Sequence, residues 1–241
     1  LISSGLLTGI LLVWTFYNLG HKSPDQTGSG AIAPLKSIIL LPFDNLSKDP
    51  DNQYFADGVM EAILNNLYHV KKVRVISKTT SEQFRKTDLT APEIAEKLNV
   101  KYVLEGSVFK SENKVRIFVN LIDAMNDQHL WSESYDRNMQ DIFAVQNEIA
   151  FQIANSLKAV LTPEEVDMIK KVPTKSIEAY NYYLYGKYFL NKNPQELILK
   201  KSIEYFEKSV ESDPDFAQAY AGMARATMYL AQYGLMPGDR S

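Results

Sequence analysis

Residues 38–58, IILLPFDNLSKDPDNQYFADG, constrain the fold more than any other stretch of the chain. Ile38 to Leu41 form a short unbroken apolar run, the mark of a strand covered on both faces. Pro42 carries no ladder donor and helps to end that strand. Asn45 to Asn52 is polar and reads as a loop. From Phe55 the apolar positions Phe55, Val59, Ile63 and Leu67 recur every fourth residue, so a helix packs back on the strand.

The same logic carries through to Leu161. Strands are expected at Ser37–Phe43, Val73–Ser77, Tyr102–Phe109 and Val115–Ile122. In the last of these Val115, Ile117, Val119 and Leu121 alternate with Arg116, Phe118 and Asn120, as in a half-buried strand. Ser111-Glu112-Asn113 makes the turn between the final two strands. Helices are expected at Tyr54–Tyr68, from the capping box Thr90/Glu93 to Leu98, and over a long segment with Ile142, Val145, Ile149, Ile153, Leu157 and Val160 on one face. The segment between, around Trp131 and Tyr135, reads as a polar connector anchored by those two rings. The order β-α-β-α-β-β-α implies an α/β domain over 35–161, with a mixed sheet and helices on one or both sides.

Thr162-Pro163-Glu164-Glu165 opens a connector helix in 162–175. From 176 to 241 the pattern changes to α-helical tetratricopeptide repeats, one full and one partial. Ser202, Phe206, Ser209 and Pro214 follow the small, Phe, small, Pro spacing of a second repeat helix. Tyr182 and Gly186 take the aromatic and small positions of the first helix, and Tyr220 and Ala224 repeat them at a spacing slightly longer than the standard period of about 34 residues. A larger turn around Asn191–Pro194 accounts for the excess. The second repeat stops after one helix, and the first residue is Leu1, so the chain is expected to continue beyond both ends.

Residues 1–19 carry no charge. As a helix they would be about 28 Å long, close to the roughly 30 Å hydrocarbon core of a bilayer. Trp14, Phe16 and Tyr17 gather at one end, where interfacial rings belong. A transmembrane helix over 1–19 is expected, with a signal-peptide core or a buried soluble helix as alternatives. Residues 20–34, rich in Ser, Gly and Pro, read as a flexible linker.

Five blocks also resemble a known family. They are Leu41-Pro42-Phe43-Asp44-Asn45-Leu46-Ser47 followed by Tyr54-Phe55-Ala56-Asp57-Gly58; Tyr102-Val103-Leu104-Glu105-Gly106-Ser107-Val108; Leu121-Ile122-Asp123-Ala124; His129-Leu130-Trp131-Ser132-Glu133 with Tyr135-Asp136-Arg137; and Asp141–Ala150. In this order they are similar to the TolB amino-terminal-like (FlgO-like) domain of bacterial envelope and signalling proteins. The resemblance implies a membrane-bound regulator or cyclase-associated protein. In such proteins the domain often follows a cytoplasmic winged-helix or nucleotide-cyclase module and precedes tetratricopeptide repeats.

Chemistry-bearing clusters are sparse. With no cysteine there is no disulfide, thiolate nucleophile or Cys-ligated metal. His21, His69 and His129 show no metal spacing. Net charge is −3 with the signs interspersed, which gives no support to nucleic-acid binding by this stretch. Asp44, Asp49, Asp51 and Asp57 cluster near the end of the first strand, but Asp and Asn there serve turns and caps, and Asp57-Gly58 the helix entry. Gly106 reads as close packing. His129 with Glu133 or Asp136, and Ser132 or Ser134, supplies triad residue types without a nucleophile-bearing turn. No catalytic residue, metal or cofactor is expected.

Binding is expected in the groove of the repeats, from Tyr183, Lys187, Arg225 and Tyr229 on helices near Ala179–Phe189 and Phe216–Leu230. These aromatic and cationic groups suit a protein or peptide partner. The competing idea is that the repeats dock on the α/β domain and bury the same residues. The expected function is a non-enzymatic, membrane-anchored extracytoplasmic interaction or sensor region of a bacterial signalling or transcription-regulatory protein. It would sit in the inner membrane by a single pass, its C-terminal part periplasmic. A secreted envelope-assembly protein with a signal peptide is the alternative, and a hydrolase the more distant one.

Overall fold

The computed structural model describes residues 36–192 and 195–233. The membrane helix expected at 1–19, the linker expected at 20–34 and the last residues, 234–241, of the expected second repeat lie outside them. Among the described residues, no helix is long and apolar enough to cross a membrane.

The chain runs through β1 (Lys36–Leu40), β2 (Asp44–Asn45), a 3-10 turn at Pro50–Asn52, α1 (Gln53–Tyr68), β3 (Val73–Val75), α2 (Lys78–Glu82), α3 (Ala91–Leu98), β4 (Tyr102–Ser111), β5 (Lys114–Asp123) and β6 (Gln128–Asn138). It continues through α4 (Ile142–Ser156), α5 (Pro163–Lys170), α6 (Ile177–Leu190), α7 (Glu196–Ser212) and α8 (Ala217–Gln232). The sheet is mixed. Its order is β3-β1-β4-β5-β6, with β1 parallel to both neighbours, β4, β5 and β6 antiparallel, and β2 added parallel to the far end of β4.

Side-chain alternation on these strands makes two apolar layers. Ile38, Leu40, Leu104, Val108, Ile117, Val119 and Leu121 face α1 and α4 and form the main core. Ile39, Val103 and Ile122 face the other way and are covered by Phe84, Ile94 and Ala95. Beyond α3 this second face is open, and Arg116 and Phe118 are exposed there. Gly106 does pack closely, since a Cβ on it would lie 2.5 Å from the ring of Phe43.

Three features depart from the sequence expectation. The stretch read as a polar connector is the edge strand β6, and with the two-residue β2 the order becomes β-β-α-β-α-α-β-β-β-α. Its alternation was hidden by a bulge opposite Leu121/Ile122 and by its polar open face. The five-residue α2, capped by Ser77, is too short to show a helical period. α4 ends at Ser156 because Lys158 takes a positive φ of 53°, which leaves Val160 exposed.

The C-terminal helices stack on this layer. Tyr180, Leu184, Phe216 and Ala219 join the same core as α1 and α4. A smaller cluster of Leu190, Leu199, Phe206, Ala226 and Leu230 holds α6, α7 and α8 together. Phe206 is its centre: a Cβ on Gly186 or on Gly222 would fall 2.7 Å and 2.5 Å from its ring. Ser202 and Ser209 donate to the carbonyls of Gly186 and Ala179, each at 2.8 Å. Tyr182 lies beside Tyr205, and Pro214 sits between α7 and α8. Tyr220 and Ala224 lie on the exposed side of α8.

Candidate functional site

Between α1 and α2 on one side and α6 and α8 on the other runs a cleft of about 680 Å³. Gly58 brings its walls together, because a Cβ there would meet Leu184 at 2.6 Å. That is its role in the fold, within the helix rather than at its entry.

The α1 wall carries two carboxylates one turn apart. Asp57 accepts from Arg85 and from Gln53, each at 2.8 Å, and Arg85 also holds Glu82 at 2.9 Å. Burial pushes the Asp57 carboxyl up further than Arg85 and Gln53 pull it down. Glu61 binds two ammonium groups from different elements, Lys78 at 2.6 Å and Lys187 of α6. Burial raises the Glu61 carboxyl, but Lys187 and then Lys78 more than offset this and hold it below its ordinary value.

A second seam lies at the start of α1. Tyr54 stacks on Tyr185 at 3.7 Å and donates to Asn181 at 2.6 Å. Lys110 donates to the Tyr54 hydroxyl at 2.6 Å and to Asn181 at 3.3 Å, and burial lowers its pKa.

Of the four residues expected to bind a partner, Tyr183, Lys187 and Arg225 line this cleft and Tyr229 does not. Tyr183 lies against Phe216 at 4.9 Å, with Lys187 over its ring. Lys187 is engaged within the chain through Glu61, which ties α6 to α1 at this position. Arg225 lines the cleft; it is exposed and donates to the Tyr229 hydroxyl at 3.0 Å. Tyr229 lies one turn further along α8. The five cations Lys78, Arg85, Lys187, Lys192 and Arg225 face the three carboxylates Asp57, Glu61 and Glu82. The excess sits on the helical wall, at Lys192, which lies over Tyr188 at 4.2 Å, and at Arg225.

A neighbouring cavity of about 550 Å³ shares Gly58, Glu61 and Lys187 and extends past Asn66 and Gln146 to His69 at the end of α1. Sequence reasoning missed the α1–α2 wall. Its signal was present in Asp57 and Glu61, two acids in the otherwise apolar stretch Tyr54–Leu64.

The other chemistry-bearing residues are dispersed. Asp49 caps the 3-10 turn by accepting from the Asp51 N–H at 2.9 Å, and Asp44 lies in β2. Among the described residues no group of His, Asp and Glu could hold a metal ion. On β6, Ser132 bonds Asn120, Asp136 accepts from Arg116 at 2.7 Å, and Glu133 accepts from Trp131 and Tyr135. Among the described residues His129 makes no hydrogen bond to any of them.

Residues 35–152 match the family model described as HilA/YgeH-like transcriptional regulator, second domain. The chain is 35% identical over 214 residues to a Rhizobium meliloti (strain 1021) protein named "Putative adenylate cyclase 3". The match covers 86% of this chain and 34% of that protein, so the chain spans about a third of its relative. Solved structures with some likeness include TolB from Acinetobacter baumannii (16% identity, 52% of this chain and 29% of that one, TM-score 0.41). Another is the LpoB C-terminal domain from Escherichia coli (17% identity, 46% and 88%, TM-score 0.34). What is similar to a transcriptional-regulator domain is thus the α/β part, 35–152, while the cyclase-named relative matches over most of the chain.

Proposed function

We propose that this chain is a non-enzymatic interaction and sensor region of a bacterial signalling or transcription-regulatory protein. Its α/β part is a TolB amino-terminal-like domain, and α6 to α8 are tetratricopeptide helices. Tyr182, Gly186, Ser202, Phe206, Ser209, Pro214, Tyr220 and Ala224 are the packing positions of those helices. The region is anchored by a membrane helix at 1–19 and lies outside the cytoplasm. The output is made elsewhere in the protein, as transcription control or cyclic-nucleotide synthesis. The similarity to a regulator domain and to a cyclase-named protein supports this reading.

One observation carries the binding role: the cleft between the α/β layer and the helices has its surplus of positive charge on the helical wall. Asp57, Glu61 and Glu82 are already paired, so an incoming anion meets Lys192 and Arg225 first. The partner is therefore an acidic peptide segment, read by cations and by the rings of Tyr183 and Tyr188.

A fluorescent oligo-glutamate peptide titrated against the chain tests this by anisotropy. Salt-sensitive binding is expected, weakened about tenfold by combining Lys192→Glu with Arg225→Glu. Absence of binding, or binding indifferent to those substitutions, would reject the cleft as the site.

A further inference from the structure

The sheet ends in two edges that are built differently. β3 is three residues long and follows Lys71 and Lys72. A short edge beside lysines is guarded against pairing. β6 is 11 residues long, contains no Lys, Pro or Gly, and among the described residues pairs only with β5. Past its bulge it runs regularly from Trp131 to Asn138. Such an edge presents a row of N–H and C=O groups, a template for another strand; of these the Asp136 carbonyl accepts from the Arg137 guanidinium at 3.0 Å, a bond that an incoming strand would replace.

Its side chains suggest which strand. Val115, Val119 and Ile117 face α4 and lie opposite Arg137, Glu133 and Tyr135, so those three share that face. Tyr135 is buried, and Glu133 and Arg137 are exposed on either side of it. Glu133 is held upright by Trp131 Nε1 at 3.0 Å and the Tyr135 hydroxyl at 3.1 Å. Arg137 lies over the Tyr135 ring at 5.9 Å, with Glu148 3.6 Å away.

Opposite charges placed symmetrically about one residue are self-complementary under a twofold axis. An antiparallel pair centred on Tyr135 sets Glu133 of each copy against Arg137 of the other, and does so twice. Centred on Ser134, the pairing would set Glu133 against Tyr135 and Arg137 against Trp131. Centred on Asp136, it would set Arg137 against Tyr135. Only the Tyr135 centre among these three matches the charges, and it confines the overlap to Ser132–Asn138, clear of the bulge. Opposite charges directly across an antiparallel pair stabilise it, and a twofold interface uses the same surface on both copies.

We propose that the β6 edge is occupied by a second copy of this chain, paired antiparallel about a twofold axis at Tyr135, so that two sheets join into one. The surface is separate from the cleft and does not depend on its ligand.

Sedimentation equilibrium of the 241-residue chain should show a dimer. Glu133→Arg and Arg137→Glu should each weaken it about tenfold, because each sets two like-charge pairs across the axis. Mixing the two variants should restore the dimer, since one copy then presents two arginines to two glutamates; that recovery also shows that both variants fold. Should either variant fail to fold, cysteines decide. The chain has none of its own, and Ser134→Cys mixed with Asp136→Cys should oxidise to the mixed disulfide in preference to either homodimer. A monomeric wild type, a dimer unmoved by both charge reversals, no recovery on mixing, or no preference for the mixed disulfide would overturn the proposal. A foreign strand captured at β6 in place of a second copy would overturn it too.

Discussion

The sheet layer and the helical layer are held together by different means. In the sheet layer Ile38, Leu40, Leu104, Ile117 and Leu121 are fully enclosed between strands and helices. The interior there is large and continuous. The helical layer has a small core of its own, organised around Phe206 in front of two glycines. It borrows the rest of its burial from α1, through Tyr180, Leu184 and Phe216. Bulk apolar area secures the first region and close fit secures the second. They should therefore fail differently.

The largest effect is expected from Leu40→Asp, which buries an unpaired charge in the sheet core and should cost about 3–5 kcal/mol. Urea denaturation measures it; a near-native midpoint would put β1 at the surface and collapse the comparison. Phe206→Ala should cost about 3 kcal/mol. Its signature is regional: limited proteolysis should cut α7 and α8 while the sheet stays resistant. Simultaneous cutting of both regions would mean that they unfold as one unit.

The Glu61 node tests the seam between the regions. Glu61→Gln leaves Lys78 and Lys187 without their carboxylate and should cost about 2 kcal/mol at neutral pH. Because the folded carboxyl lies below its ordinary value of 4.5, its contribution is complete above 4.5 and is lost as the pH falls through the folded value. Asp57 acts in the opposite sense. Its folded carboxyl is raised above 3.8, so the penalty for ionising it fades as the pH falls through that raised value. Denaturation of the wild type, Glu61→Gln and Asp57→Asn across the acidic range separates the two. A Glu61→Gln cost that persists unchanged below the folded value would show that the ion pairs do not tie α6 to α1.

The smallest effects belong to the capping boxes. Thr90→Ala should cost about 1 kcal/mol. Thr162→Ala should cost somewhat more, because its partner Glu165 also accepts the Lys71 N–H at 3.0 Å and ties α5 to the turn before β3. Equal melting shifts for both would remove that distinction.

What could be read from the sequence follows the same division. β1, α1 and both capping boxes were legible because each is encoded locally, in an apolar run, a four-residue spacing or a Thr with Glu three residues on. β6 was not, since a bulge interrupts its period and one of its faces is solvated. The cleft was legible only in part. Tyr183, Lys187 and Arg225 stood out on their own helices, but their counterparts Glu61, Lys78 and Arg85 come from far along the chain. No local pattern says that Glu61 will meet Lys187. Asp57 and Glu61 did break the apolar run of α1, and an acid on a buried helix face is a reason to look for a distant cation.

Phe206, seated against Gly186 and Gly222, has a consequence for how such a protein can change over time. The spacing of α6, α7 and α8 is set by backbone meeting ring, with no side chain free to adjust at either notch. The curvature of the cleft wall is thus insulated from the residues that decorate it. Substitutions at Lys192 or Arg225 can retune what the wall recognises while its shape is inherited unaltered, whereas one added methyl group at either glycine would redraw the wall itself.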